Sequence, residues 1–271
     1  MQPAILFRKA IRDEQEGEIA AKYFPITYNR TTCKDQLVIG RYSCLPYYKE
    51  LEEDLQFNGC RLINTYKEHR WIADFEYYDD LRIYTPESWR EKHFYLCDYP
   101  GPFIVKGLTN SRKHQFNTHM YAETRQQALR VASELHNDML IGEQEIVMRK
   151  YVPLKTFEVG INGIRFTNEW RFFYLKDMRL SYGYYWSSAD DLSLPYMDSE
   201  GLALADKVAQ IASKHATFFA LDIAEKEAGG WTLVEVNDGQ CSGLSENCPK
   251  TLYYNLSETL KLMMGSPLYN E

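Results

Sequence analysis

The chain has 271 residues, of which 45% are hydrophobic and 25% are charged, and its formal net charge is −7. This length allows two or three modest domains with a substantial core. The acidic balance disfavours a protein that coats nucleic acid, and no apolar run reaches the ~20 residues that a membrane span requires. The N-terminal residues lack a signal-peptide pattern. The six cysteines form no CxxC pair, which indicates reduced thiols in a cytoplasmic protein.

The N-terminal third alternates between strand-like and helix-like segments. The predicted strands are AILFRKA and DQLVIGRYS, the predicted helices are DEQEGEIAAKYF and LPYYKELEEDLQFNG, and CRLINTYKEHRWIAD continues the alternation. Gly59 is expected at the C′ position that ends the second helix. Such alternation predicts a parallel sheet with helices on its faces. The stretch YTPESW, with Pro86 and Ser88, is interpreted as a linker or a helix start.

Strands and helices also alternate in the rest of the chain. GPFIVKG is a predicted strand, followed by a polar loop and by the helix ETRQQALRVASELHNDML, whose predicted buried face comprises Leu129, Ala132, Leu135 and Met139. EIVMRKYVPL is a strand that Pro153 stops. NGIRFTNEWRFFYLKDMRLSYGYYW is typical of antiparallel strands joined by KDMR. The helix DSEGLALADKVAQIASKHA, the hairpin strands TFFALDIA and WTLVEVN, and the closing helix TLYYNLSETLKLMM complete the chain.

Three oxygen-bearing side chains lie in the two apolar hairpin strands. Because side chains alternate along a strand, Glu235 and Asn237 face the same way. A turn centred between Ala228 and Gly229 places Asp222 opposite Glu235. Buried acids are costly unless they are paired, protonated or metal-bound. Carboxylate and amide oxygens suit Mg²⁺, which commonly completes its shell with water and substrate phosphates. The cluster therefore indicates either a magnesium–nucleotide site or an exposed strand face with solvated acids.

Basic side chains precede these acids in the chain. Lys106 ends the strand PFIVK, either as an ordinary strand-end lysine or as a point charge for phosphate oxygens. The loop GLTNSRKHQF behind it offers N–H groups and more cations as a phosphate cover, although the Walker A pattern is absent. Glu169 and Arg171 share a strand face, either as a structural ion pair or with Arg171 meeting a transferring phosphate. The edge amides from Lys150 to Val152 are candidates to bind an adenine edge.

In this order the segments resemble the ATP-grasp superfamily, and within it the R-two-K clade. The matching segments are PFIVK, IVMRKYV, NEWRFF, ALDIA and LVEVNDGQCSGL, and the E-x-N of the last one is the most specific. The resemblance implies an α/β (α+β) fold of the ATP-grasp type. It implies an N-terminal pre-ATP-grasp α/β domain at residues 1–88 and two α+β subdomains that grip ATP, at residues 89–151 and 152–271.

The family resemblance also implies an activity and a set of site residues. The activity is that of an ATP-dependent carboxylate–amine ligase that forms an amide or peptide bond through an acyl-phosphate and releases ADP and phosphate. With ATP and Mg²⁺ as cofactors, the implied residues are Arg171 for catalysis, Lys106, Arg149, Lys150, Tyr151, Val152 and Glu169 for the nucleotide, and Asp222, Glu235 and Asn237 for magnesium. Two features depart from the family pattern: Arg149 stands where better-known members have Glu or Gln, and the loop after Lys106 is poor in glycine.

Several points stay open at the level of sequence. The substrates are expected to be a small-molecule or peptide carboxylate and an amine, with Arg41 and Arg82 as candidate carboxylate anchors, and the oligomeric state is not determined. Cys241 is interpreted as a packing residue, and His114 and His119 as structural or solvent-facing. One alternative is a regulatory or binding module that binds ATP and Mg²⁺ without ligation. Another is an α/β protein that binds no nucleotide and has solvated acids.

Overall fold

The computed structural model describes residues 1–8, 14–187, 189, 193 and 195–265. The strands of these ranges are β1 (Gln2–Phe7), β2 (Ile26–Thr27), β3 (Gln36–Arg41), β4 (Arg61–Leu62), β5 (Ser88–Arg90), β6 (Phe103–Gly107), β7 (Tyr121–Ala122), β8 (Ile146–Lys150), β9 (Thr156–Val159), β10 (Arg165–Thr167), β11 (Glu169–Leu175), β12 (Met178–Tyr184), β13 (Phe218–Glu225) and β14 (Trp231–Asp238). The α-helices are α1 (Glu14–Ala20), α2 (Tyr48–Phe57), α3 (Tyr66–Ala73), α4 (Tyr77–Leu81), α5 (Phe116–His119), α6 (Arg125–Leu135), α7 (Ser199–Ala212) and α8 (Pro249–Gly265). The predicted continuation of the first strand to Ala10 and the predicted helix start at Asp13 lie outside the described residues.

The N-terminal sheet has the strand order β2-β1-β3-β4, and all its pairs are parallel. The prediction of a parallel sheet is therefore confirmed. Side chains of β1 alternate between two cores: Leu6 packs with α2, whereas Ile5 and Phe7 belong to the cluster that includes α8. Helix α2 ends as predicted, with Gly59 at φ +71° after its last turn. A side chain at this position would also lie 2.3 Å from the Asp35 carboxylate, so the site requires glycine.

The second sheet is antiparallel and has the order β5-β8-β6-β7. Ser88 begins strand β5 and pairs with Arg149 of β8, so the expectation of a linker or helix start at YTPESW is wrong at this residue. The local sequence offers no helix or strand period over so few residues, and the neighbouring strand β8 decides the conformation. Ser88 therefore lies beside the end of β8, next to the residues from Lys150 to Val152 that are predicted to contact adenine.

Helix α6 covers the second sheet with a face that differs from the predicted one. Ala132 and Leu135 are buried as expected, but Leu129 is 49% exposed and Met139 lies fully exposed beyond the end of the helix. The buried face of the helix consists of Ala128, Val131, Ala132 and Leu135. Two alanines on this face let the helix approach the sheet closely, which turns Leu129 towards solvent.

The third sheet is antiparallel with the order β12-β11-β13-β14, and β9 and β10 form a separate two-stranded ribbon. Strands β11 and β12 are joined at Lys176 (φ 54°), which confirms the antiparallel pair predicted around KDMR. Strand β13 is central and apolar, and its side chains alternate between a core with α7 and a core with α8 and the N-terminal sheet. Across the described ranges, none of the helices has the length and apolar character to span a lipid bilayer.

Candidate nucleotide and metal site

A cleft lies between the second and third sheets. Strand β6 contributes Lys106, β11 contributes Glu169, and β14 contributes Glu235. Apolar and aromatic side chains line much of the rest, namely Ile104, Phe116, Met120, Tyr151, Leu154, Ile164, Trp186 and Val234. A concave, mostly apolar pocket with a few charged groups is the usual form of a small-molecule site.

The three predicted magnesium ligands converge beside this cleft. In the antiparallel pair of β13 and β14, Asp222 lies directly opposite Glu235, as the sequence predicted. The Asn237 side-chain amide donates to Asp222 Oδ2 (3.1 Å) and Glu235 Oε2 (3.3 Å). This donor set fits a Mg²⁺ ion, which prefers carboxylate and amide oxygens. The described residues contain no group of three or more His, Cys, Asp or Glu that could hold a metal, so such a site depends on the amide of Asn237.

Each of the two carboxylates is paired with a cation. Arg171 donates to Asp222 through Nε (2.8 Å) and Nη2 (2.7 Å), and through Nη1 to Gly243 O (3.0 Å). Lys106 forms an ion pair with Glu235 across the cleft. Burial disfavours the ionised form of Glu235, but Lys106 and neighbouring cations outweigh it and lower the pKa of Glu235 to about 2. Burial also lowers the pKa of Lys106, which the charge of Glu235 partly offsets.

The residues from Arg149 to Val152, which the sequence predicts to contact the nucleotide, have mixed structural roles. Arg149 donates through Nε to Ser88 Oγ (3.0 Å) and through Nη1 to Val234 O, whereas its buried Nη2 has no hydrogen-bond partner. The N–H groups of Lys150 and Tyr151 already bind carbonyl groups at 2.8 and 2.9 Å. Of Lys150, Tyr151 and Val152, only Val152 therefore has a main-chain N–H group without a carbonyl partner among the described residues, and Val152 lines the cleft.

Two further groups face the cleft on the side of β11. Glu169 is buried, its Oε1 has no hydrogen-bond partner, and burial raises the pKa of this carboxyl although Lys113 opposes the shift. Lys113, from the loop after β6, donates to Tyr185 Oη (2.8 Å) and lies 3.8 Å from Glu169 Oε1. The sequence indicated only that this loop carries cations, because the reach of one side chain across a cleft has no local signal.

A buried polar network attaches the segment after β14 to the N-terminal part of the chain. Asp238 accepts from Asn64 Nδ2 (2.9 Å) and the Gln240 N–H (2.9 Å), and lies 2.9 Å from His69 Nδ1. Gln240 in turn accepts from the Gly40 N–H (2.9 Å). Because Asp238 directly follows Asn237, the network holds the end of the strand that carries two of the proposed ligands. Sequence reasoning missed it, since its members lie far apart in the chain.

The two arginines suggested as carboxylate anchors do not form such a site. Arg41 is buried and forms an ion pair with Glu16 (2.9 Å), so its charge is already neutralised. It also donates to Gly239 O and thereby holds the loop that follows β14. Arg82 is exposed at the end of α4. The thiol of Cys44 and burial raise the pKa of the Cys241 thiol, in agreement with a residue that is not a nucleophile.

Residues 95–256 match the family model of the ATP-grasp domain, R-two-K clade family 3. The chain belongs to this family. The predicted family is therefore confirmed. No curated protein is significantly similar to the chain in sequence.

Solved structures agree with this family in fold. D-cycloserine synthetase DcsG matches with a TM-score of 0.62 and 13% identity over 95% of this chain and 99% of its own. D-alanine–D-alanine ligase from Bacillus anthracis, complexed with ATP, matches with a TM-score of 0.59 and 11% identity over 99% and 97%. The ATP-grasp ligase PsnB, complexed with minimal precursor, Mg and ADP, matches with a TM-score of 0.55 and 9% identity over 96% and 98%. The predicted ATP-grasp fold is thereby confirmed.

Proposed function

We propose that this protein of the R-two-K clade is an ATP- and Mg²⁺-dependent ligase that activates a carboxylate as an acyl-phosphate and joins it to an amine. The observation that carries the proposal is the convergence of Asp222, Glu235 and Asn237 on adjacent strands, facing Lys106 across a cleft with a largely apolar lining. In this proposal residues 1–88 precede the ATP-grasp core, and residues 89–151 and 152–271 form the two halves that grip ATP.

The similar structures support ligation of this kind. One is a D-alanine–D-alanine ligase with ATP, and another is an ATP-grasp ligase with a precursor, Mg and ADP. N5-carboxyaminoimidazole synthase from Aspergillus clavatus, in complex with ADP and a ribonucleotide, has a TM-score of 0.57 and 11% identity over 90% of this chain and 71% of its own. Because proteins of one fold can act on different substrates, the fold supports the phosphoryl-transfer step but does not identify the acid and the amine.

The side chains of the cleft supply the parts that the first step needs. A bound Mg²⁺, held by Asp222, Glu235 and Asn237, would neutralise charge on the phosphates. Arg149 lines the cleft and has a buried Nη2 without a hydrogen-bond partner, and Lys106 changes partner from Glu235 to phosphate oxygens. A substrate carboxylate oxygen attacks the γ-phosphorus, and the bond to the ADP oxygen breaks.

The second step needs no nucleophile from the protein. The neutral substrate amine attacks the acyl carbon, and the carbon–oxygen bond to phosphate breaks. The proton lost from the amine nitrogen leaves with the phosphate, so the products are an amide and phosphate. Arg171 stabilises negative charge through the same planar fork that now binds Asp222. Catalysis in this proposal is positioning and electrostatic stabilisation.

Ligand-dependent melting tests the nucleotide and metal parts. ATP with Mg²⁺ at about 100 times the Kd should stabilise the protein by about 2.7 kcal/mol, which raises the melting temperature by roughly 5–10 °C. ATP with a chelator should give a smaller shift. Asp222→Asn and Glu235→Gln should each reduce the difference between the two conditions. If millimolar ATP with Mg²⁺ produces no shift in the parent, the nucleotide site is refuted.

Product analysis tests the chemistry. The protein is incubated with ATP, Mg²⁺ and pools of amino acids and peptides, and ADP release is followed together with condensed products by mass spectrometry. We expect ADP release that depends on both an acid and an amine. Tight binding of ATP without ADP release for any pool would instead identify a binding module that does not ligate.

A further inference from the structure

Two cysteine side chains meet where the N-terminal part of the chain packs against the loop that follows β14. Cys44 lies in the loop after β3, and Cys241 lies in the loop after β14. The Cys241 thiol is hydrogen-bonded to Cys44. Both thiols are free, and both residues are half-buried. Contact between the two sulfur atoms is the first geometric requirement for a disulfide bond.

Hydrogen bonds on both sides of the contact hold the two loops together. The Gly40 N–H group, near the end of β3, donates to the side-chain oxygen of Gln240 at 2.9 Å. The Cys241 N–H group donates to Asp238 O at 3.0 Å, which places Cys241 in a tight turn directly after β14. The contact between Cys44 and Cys241 therefore lies between two segments whose backbones are already fixed to each other.

A surface cleft gives reagents in solution access to Cys44. This thiol lines the cleft together with Leu45 and Tyr47, which are 39% and 63% exposed. Cys241 lies deeper, and its contact with Cys44 together with burial raises the pKa of its thiol well above the ordinary value, so it is protonated at neutral pH. Cys44 is therefore the member of the pair that meets an oxidant first.

The remaining cysteines differ from this pair. Cys33, Cys60 and Cys97 are buried, so reagents in solution do not reach them in the folded protein. Cys248 is exposed, and its hydrogen bond with Thr251 lowers the pKa of its thiol, so it is expected to react with the same reagents as Cys44. A single exposed thiol stops at a mixed disulfide, whereas a thiol in contact with a second one continues to an internal disulfide.

We propose that Cys44 and Cys241 are a redox modification site, at which a small disulfide such as oxidised glutathione converts the two thiols into a reversible disulfide bond. The Cys44 thiolate attacks one glutathione sulfur, the sulfur–sulfur bond of the reagent breaks, and one glutathione thiolate leaves. The Cys241 sulfur then attacks Cys44 Sγ and displaces the second glutathione. The two protein thiols lose two electrons and two protons, and one oxidised glutathione becomes two reduced molecules.

The contact between the thiols makes the second step possible. With a raised pKa, Cys241 is a poor nucleophile towards reagents in solution. Once Cys44 carries glutathione, however, the attack by Cys241 is intramolecular and starts from a sulfur atom already beside its target. The resulting bond ties the loop after β14 to the N-terminal part of the chain. This loop includes Gly243, whose carbonyl accepts from Arg171 Nη1 at 3.0 Å.

The test treats the reduced, nucleotide-free protein with millimolar oxidised glutathione, blocks the remaining thiols with N-ethylmaleimide and identifies the products by peptide mass spectrometry. Cys248→Ser serves as the background, because it removes the competing exposed thiol. In this background we expect two peptides joined through Cys44 and Cys241, which dithiothreitol separates. Adding Cys241→Ser should trap glutathione on Cys44, with a yield about tenfold or more above that in the background protein. Adding Cys44→Ser instead should leave Cys241 unmodified.

Two controls accompany the test. Glutathione on Cys248 of the parent shows that the reagent is active, and circular dichroism shows that each variant folds. The proposal is overturned if Cys44 stays reduced while Cys248 is modified, or if glutathione persists on Cys44 although Cys241 is present. It is also overturned if Cys44 joins a cysteine other than Cys241. Because the reaction needs no nucleotide, each of these results leaves the proposed function intact.

Discussion

The Arg171–Asp222 pair offers the sharpest prediction about stability. Asp222 is completely buried and Arg171 is 8% exposed, and two hydrogen bonds of 2.7 and 2.8 Å join them. Arg171→Met removes the cation but leaves the carboxylate in place. The only other hydrogen bond to this carboxylate comes from the Asn237 amide at 3.1 Å among the described side chains, so its negative charge would be poorly compensated.

The magnitude follows from the burial of the pair. Removing one member of a buried ion pair typically costs about 3–5 kcal/mol, because the remaining charge keeps its desolvation penalty. In a chain of this size, 1 kcal/mol changes the melting temperature by roughly 2–4 °C. Arg171→Met should therefore lower the melting temperature by about 10 °C. The double variant that also carries Asp222→Asn lacks the unpaired buried carboxylate. Its free energy of unfolding should therefore be about 2–3 kcal/mol higher than that of Arg171→Met alone.

The assay is equilibrium unfolding in urea of the parent, the two single variants and the double variant, without nucleotide. Arg179→Met is the control on the neighbouring strand, since the Arg179–Asp206 pair has a separation of 3.4 Å and is 31% and 48% exposed. It should cost less than about 1 kcal/mol. The reasoning from burial is refuted if Arg171→Met is no more destabilising than this control. It is also refuted if the loss of unfolding free energy in the double variant equals the sum of the losses in the two single variants.

Two other predictions concern acid stability and the buried network. Because the pKa of Glu235 falls from 4.5 to about 2 on folding, its pairing with Lys106 stabilises the protein above pH 4.5 and is lost as the pH falls towards 2. Glu235→Gln should therefore make the free energy of unfolding decline less steeply between pH 5 and pH 3, and parallel curves would contradict the assignment. Asn64→Ala removes the side-chain bond to Asp238 (2.9 Å) and two bonds to the backbone of Phe218. It should cost about 2–4 kcal/mol in urea unfolding, and a loss below about 0.5 kcal/mol would show that water replaces these bonds.

Much of the proposed metal site was readable from the sequence, because the relevant interactions are local. The hairpin turn is short and side chains alternate, so the register of Asp222 and Glu235 follows from counting residues. The ordered segments also indicate the family without reference to the geometry. The amphipathic period of α6 was less decisive, because several rotations of the helix bury apolar residues and the packing of Ala128 against the sheet selects one.

The sequence by itself determined most of the alternation of strands and helices, the hairpin register and the family. Only the tertiary structure decided which cation meets which acid, since Lys106 and Glu235 are 129 residues apart and no periodicity relates them. The same holds for the strand at Ser88, the network around Asp238 and the reach of Lys113. Local pattern reflects hydrogen bonding and burial within one segment, whereas charge pairing depends on the distance between segments that packing alone brings together.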